Sequence, residues 1–171
     1  MGMRAIAADQ HFAEPAPVFA PAHPYVALAG FIALAMLAAL PALWLDLRGT
    51  YANLALPEWA PPAWLFGPMW TILYVMMGVA AWGVWKSHGW CVAMGFWLAQ
   101  LALNAAWPPI FFGLHQPGWA FVEIVALWFA IAGTYLGFAL IRPWTALLLT
   151  PYLTWVTFAA ALNYVIWGMN S

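Results

Sequence analysis

The sequence is poor in charge. Four Lys/Arg and five Asp/Glu serve 171 residues, 5% of the chain, where a soluble domain carries about a quarter. That scarcity excludes a soluble globular class. With a net charge of −1 there is no basic face to neutralise phosphates, so nucleic acid is excluded as a partner. Cysteine is almost absent: Cys91 alone cannot close an intramolecular disulfide, and its place in an apolar run suits core packing. There is no His pair at i, i+4 spacing, since His11 and His23 precede the first apolar run and His88 and His115 fall in turns. No metal site and no axially ligated haem are therefore expected. Lysine is missing from the middle of every run, Lys86 ending the second, which disfavours a retinal Schiff base. A Gly-rich phosphate loop, a Cys/His nucleophile arrangement and the intramembrane ionisable groups of an ion-coupled pump are also missing.

What is present is apolar and aromatic: 67% hydrophobic residues, 18% aromatic, and a mean hydropathy of +0.87. Five runs, 25–45, 65–85, 90–112, 118–141 and 144–167, approach the roughly 20 residues that cross about 30 Å of hydrocarbon. They predict an all-α integral multi-pass membrane protein, an up-and-down bundle of five transmembrane helices within residues 25–171. A closed barrel is excluded, because its strands need alternating polarity and these runs are continuously apolar. The connections after the second, third and fourth runs are a few residues long, which predicts antiparallel neighbours. Residues 1–24 carry Pro15, Pro17, Pro21 and Pro24 among Asp9, Glu14 and small residues, and read as a disordered or loosely docked tail. The long connection, 46–63, contains Trp59-Ala60-Pro61-Pro62, stiffened by proline, and could fold over the bundle mouth as a lid. Arg4, Lys86 and Arg142 fall on one side and Arg48 on the other, a balance that favours a cytoplasmic amino terminus.

Fourteen tryptophans are the most conspicuous feature. Trp44, Trp64, Trp85, Trp90, Trp119, Trp144 and Trp167 lie near run ends, where an interfacial belt recruits the ring for its apolar body and N–H. Trp70, Trp97, Trp107, Trp128 and Trp155 lie deeper, where each indole N–H needs an acceptor that lipid does not offer. In the third run Gln100, Asn104 and Trp107 follow i, i+4, i+7 spacing and share one helical face, which suits either interhelical hydrogen bonding or a ligand pocket. In the fifth run Pro151, Trp155, Ala159 and Leu162 make a second stripe, with Ala159 leaving room beside the large ring. Pro108 and Pro109 should kink or end the third helix close to Trp107. Glu123 lies about one turn inside the fourth run, where an interfacial or capping role near the helix amino end is expected. Gly133 with Gly137, and Ala102 with Ala106, are small-xxx-small pairs that could seat a neighbouring helix or a second protomer. What this leaves is an apolar, aromatic-lined cavity suited to a flat or rigid hydrophobic ligand.

Three ordered stretches carry a resemblance. They are Trp59-Ala60-Pro61-Pro62 with Phe66-Gly67-Pro68-Met69-Trp70 and Tyr74, then Gln100 through Gly113, and finally Pro151-Tyr152-Leu153-Thr154-Trp155 with Phe158-Ala159 and Leu162-Asn163-Tyr164. From about residue 51 to 170 the chain resembles the translocator protein family, also called TspO/peripheral benzodiazepine receptor or tryptophan-rich sensory proteins. The resemblance implies a five-helix membrane protein, often a homodimer, of the bacterial cell envelope or outer mitochondrial membrane. It further implies binding of porphyrins such as protoporphyrin IX, of sterols and of synthetic ligands beneath the first loop, with no cofactor required. Carried over residue by residue, Trp59 and Phe66 look like the lid side, and Trp70, Asn104, Trp107, Trp119, Trp155, Ala159 and Leu162 like pocket lining. The chain departs from the family pattern after Tyr164, where no basic residue completes the sterol motif, at Leu56, where many members carry Lys, and at His115, where some carry Arg.

Three functions are expected in turn. The first is a tetrapyrrole sensor, regulator or transporter. The second is a light-dependent porphyrin-degrading photo-oxidase, in which Trp70 and Trp155 would serve as oxidisable donors beside the photosensitising ligand. The third is a dimeric membrane scaffold without transport.

Overall fold

The computed structural model describes residues 23–171, so the predicted tail falls outside the described residues except for His23 and Pro24. The described chain is helical throughout, in the order α1 (Pro24–Leu37), α2 (Leu47–Ala52), α3 (Phe66–His88), α4 (Val92–Pro108), α5 (Pro117–Ile141) and α6 (Pro143–Met169). The predicted spans map onto α1, α3, α4, α5 and α6. Helical stretches Ala63–His88, Pro117–Ile141 and Pro143–Met169 are each long and apolar enough to cross a membrane unaided.

Local sequence explains the boundaries. Pro24, Pro117 and Pro143 open α1, α5 and α6, where a missing N–H costs no hydrogen bond. Pro143 also forces Arg142 into extended backbone, φ −146° and ψ 99°, which ends α5 and turns the chain in one residue. Gly89, at φ 66°, closes α3 in a conformation that a side chain would strain.

Two sequence expectations are corrected and a third holds. The 25–45 run is not one helix: α1 stops at Leu37, and a tight 3₁₀ segment, Leu40–Trp44, follows. Pro41 explains it, because its ring nitrogen cannot donate to the carbonyl four residues back. The 46–63 connection is not wholly loop, since Asp46 accepts a hydrogen bond from the Gly49 amide at 2.9 Å and thereby caps α2. The expectation at Pro108 and Pro109 holds, since α4 ends at Pro108, one residue past Trp107. The chain widens into a π turn over Pro109–Gly113, with the Leu114 amide donating to the Pro109 carbonyl at 2.8 Å, an i to i+5 bond.

Around the bundle, α1 packs on α3, α3 on α6, α6 on α5 and α5 on α4, while Leu40–Trp44 closes the ring against α4. The short-turn argument thus holds for α4–α5 and α5–α6. Helices α3 and α4, also joined by a short turn, meet at few positions and are bridged by long side chains. Small residues permit the close contacts. A Cβ on Gly78 of α3 would lie 2.6 Å from the Ile32 Cα of α1, and one on Gly137 of α5 would lie 2.7 Å from the Ala93 Cβ of α4. Gly133 likewise faces Phe96, so the α5 glycine pair seats α4 within the chain.

Gly78→Ala should therefore push α1 off α3 and cost roughly 1–3 kcal/mol. Gly95→Ala, where a Cβ meets nothing within 4 Å, should leave stability unchanged or slightly raised. Thermal unfolding of both variants in detergent checks the contrast.

Candidate functional site

Where α3, α4, α5 and α6 approach the 46–63 connection, the bundle encloses a cavity of about 480 Å³, within the range of small-molecule sites. Its walls come from the first turns of α3, the last turns of α4 and α6, Ile124 and Leu127 of α5, and the end of the first span. Arg48 and Tyr51 of α2, with Ala63 and Trp64, close it from the connector side.

A hydrogen-bond chain braces this end of the bundle. The Tyr74 hydroxyl donates to Asn104 Oδ1 at 2.6 Å, Asn104 Nδ2 donates to the Tyr152 hydroxyl at 3.1 Å, and that hydroxyl donates to Gln100 Oε1 at 2.7 Å. Gln100 Nε2 ends the run at the Met77 sulfur, 3.7 Å away. One chain thus ties α3, α4 and α6. A second link runs from Trp107 Nε1 to Asn163 Oδ1 at 3.1 Å, and from Asn163 Nδ2 to the Pro117 carbonyl at 2.8 Å, joining α4, α6 and α5.

Of the residues singled out from sequence, Phe66, Trp70, Asn104, Trp107, Trp155, Ala159 and Leu162 all line the cavity. Trp70 stacks on Tyr74 with centroids 5.6 Å apart, and Phe66 meets Trp155 edge-on at 5.9 Å. Trp59 stands just outside the lining. It is half exposed and lies edge-on to Phe158 at 5.8 Å, on the connector side. Trp119 is not at the cavity rim: it is 68% exposed and lines a separate shallow depression with His115 and Trp167. One residue turns a helix by about 100°, so the inward stripe of Ala120, Ile124 and Leu127 directs Trp119 outward.

Among the deep indoles, Trp107 and Trp128 find acceptors, the latter in the Thr157 hydroxyl at 2.8 Å. The N–H groups of Trp97 and Trp155 are shielded and have no hydrogen-bond partner among the described residues. Glu123 caps nothing. Both of its carboxyl oxygens are shielded without a partner among the described residues, more than a turn beyond the α5 start, which corrects the capping half of the expectation.

The connector is held at three points. The Tyr51 hydroxyl donates to the Pro61 carbonyl at 2.9 Å, and burial raises this phenol above its ordinary pKa. Trp59 leans on Phe158. Asn170, just past α6, pairs with the Ala55 backbone in both directions: Ala55 N donates to its Oδ1 at 2.9 Å and its Nδ2 donates to the Ala55 carbonyl at 3.0 Å.

This aromatic cavity, bracketed by Trp70, Asn104, Trp107 and Trp155, coincides with a sequence match: the model of the TspO/MBR family matches residues 25–168. The chain belongs to the TspO/MBR family. It is 45% identical over 125 residues to the translocator protein of Homo sapiens, covering 70% of this chain and 74% of that relative. It is 43% identical over 134 residues to the tryptophan-rich protein TspO of Chlorobaculum tepidum, covering 76% and 82% of the two chains. A tryptophan-rich sensory protein of Cereibacter sphaeroides is 38% identical over 120 residues, covering 70% and 76%. Family membership and the apolar helices together make this an integral membrane protein.

Within this TspO/MBR chain, residue-by-residue transfer left Arg48, Tyr51 and Asn170 unassigned. Two signals in the sequence pointed to further members of the site. Tyr152, Ala159, Asn163 and Ile166 follow i, i+7, i+11, i+14 spacing on α6, the same kind of stripe as Gln100, Asn104 and Trp107 on α4. Asp46, an N-cap residue type before Leu47, marked the start of α2.

Two outcomes follow from these bonds. Tyr152→Phe strips partners from Asn104 and Gln100 and should cost roughly 1–3 kcal/mol, as an unsatisfied buried polar group does. Tyr164→Phe, at an exposed ring, should cost almost nothing, and unfolding temperatures compare the two. Asn170→Ala should accelerate hydrogen exchange at the Ala55 amide, whose acceptor it removes, while the α3 interior keeps its protection.

Proposed function

We propose that this TspO/MBR-family membrane protein binds a flat, rigid hydrophobe of the tetrapyrrole class, with protoporphyrin IX as the test ligand, and acts as a tetrapyrrole sensor, regulator or carrier. The observation that carries this reading is the cavity itself: about 480 Å³, walled by Phe66, Trp70, Trp107, Phe111, Phe112 and Trp155, and closed by a segment that is not part of the bundle. Aromatic walls suit a planar π system, because offset-stacked and edge-on arrangements add to the gain from apolar burial. The same cavity could take a sterol, but a sterol would make no use of stacking.

The braced end of the bundle supports a preformed site. Asn104 and Trp107 are locked by hydrogen bonds to α3 and α6, so a ligand meets fixed walls and little ordering cost falls on binding. Ala159 leaves a space beside Trp155 that a larger side chain would fill.

Protoporphyrin IX added in the dark to purified protein should quench tryptophan emission saturably. Ala159→Phe, which fills the cavity without touching the hydrogen-bond chain, should weaken that binding at least about tenfold, or 1.4 kcal/mol. An absence of saturable quenching by the unaltered protein would reject the tetrapyrrole reading and direct the same assay to sterols.

A further inference from the structure

The cavity has a polarity that its aromatic walls conceal. Among the described residues, Arg48, the second residue of α2, is the sole formally charged one in its lining, and no carboxylate lines it. Asp46, two residues before Arg48 in sequence, is engaged in capping α2 through the Gly49 amide. The side-chain carbonyl oxygens on the walls are already in use: Asn104 Oδ1 accepts from Tyr74 and Asn163 Oδ1 accepts from Trp107. On the donor side, Trp155 is a lining residue whose shielded Nε1 has no partner among the described residues. A site whose uncommitted groups include a guanidinium and an indole N–H, and whose amide oxygens are engaged, favours a ligand that brings acceptors.

We propose that Arg48 is the anion-recognising residue of the cavity, so that the preferred occupant is a flat hydrophobe bearing a carboxylate at the end that faces the connector. This rests on the tetrapyrrole reading and narrows it to acidic tetrapyrroles. The direction follows from solvation. A carboxylate driven into the apolar floor would lose its water without compensation, whereas at Arg48, an exposed residue of the connector, it keeps partial hydration and gains charge-assisted bonds. A planar guanidinium can hold both carboxylate oxygens at once, which an ammonium cannot do with the same geometry. The apolar body then points toward Trp70, Trp107 and Trp155, and the ligand lies with its acidic edge under the connector.

The test compares protoporphyrin IX with its dimethyl ester, which keeps the ring and removes both negative charges, in uncharged detergent micelles. The unaltered protein should bind the diacid more tightly than the diester. Arg48→Gln should weaken the diacid roughly ten- to a hundredfold, as expected for loss of bonds to a charged group, and leave the diester unchanged, while Arg48→Lys, which keeps the charge but not the planar fork, should restore the diacid only in part. Equal affinity for the two porphyrins, or equal weakening of both by Arg48→Gln, would overturn the assignment while leaving the tetrapyrrole reading standing. An Arg48→Gln effect confined to nanodiscs containing anionic lipid would also overturn it, by giving the residue a headgroup as partner. Failure of both porphyrins to bind the unaltered protein would remove the tetrapyrrole reading and this inference together.

Discussion

The structure depends on the Tyr74–Asn104–Tyr152–Gln100 hydrogen-bond chain. In a bilayer, lipid tails solvate apolar side chains as well as another helix does, so apolar surface alone gives little reason for one arrangement over another. Packing of small residues and satisfaction of polar atoms must choose. Helices α3 and α4 make this plain, because their backbones approach each other at few positions. A tyrosine reaching from α3 to an asparagine on α4, and that asparagine reaching on to a tyrosine on α6, fixes the rotation of three helices with one connected set of donors and acceptors. Rotating any of them would strand a hydroxyl or an amide in hydrocarbon, at a cost that no apolar contact returns.

The cavity is a consequence of the same arrangement. A separation that a tyrosine must bridge leaves room between α3 and α4, and the two prolines that follow Trp107 prevent the end of α4 from closing it. The π turn over Pro109–Gly113 carries Phe111 and Phe112 to the lining, where Phe111 stacks on Trp107 with centroids 4.8 Å apart. Pro41 acts similarly in the first span by ending the α-helical stretch early, so that Ala42 and Leu43 reach the same space. Proline here does what glycine does elsewhere in the bundle, but in the opposite sense. Gly78 and Gly137 let helices touch, while the prolines hold them apart.

Much of this was legible in the sequence, and the exceptions have physical causes. The spans were readable because length and apolarity are set by bilayer thickness, a constraint independent of tertiary contacts. The pocket side of α4 was readable because Gln100, Asn104 and Trp107 are polar or amphipathic groups on an otherwise apolar helix, and such groups point inward in lipid. Trp119 was read as a belt residue from its place near a span end, and only the family resemblance moved it to the pocket; the rotation of α5, set by Ala120 and Ile124, turns it outward. For Glu123 the capping alternative failed because its distance from the helix start suggested a cap, whereas α5 begins at Pro117 with no side-chain cap hydrogen bond. Asn170 and Ala55 could not be paired, since 115 residues separate them and nothing local to either announces the other.

The two ends of the cavity differ in the kind of bond that holds them. Its bundle walls are fixed by side chains shielded from water, and to displace them is to break hydrogen bonds where no replacement exists. The connector is fixed by Asn170, by Tyr51 and by the Trp59–Phe158 contact, and Asn170 and Trp59 stand at the exposed surface, where water can take over from the protein. Opening there exposes some apolar area around Tyr51, but strands no polar group in lipid. Local openings are drawn from segments with few buried contacts and exposed backbone bonds, and access to enclosed sites commonly runs through such segments. The connector is therefore the weakly held face of the cavity, and Arg48 stands on it.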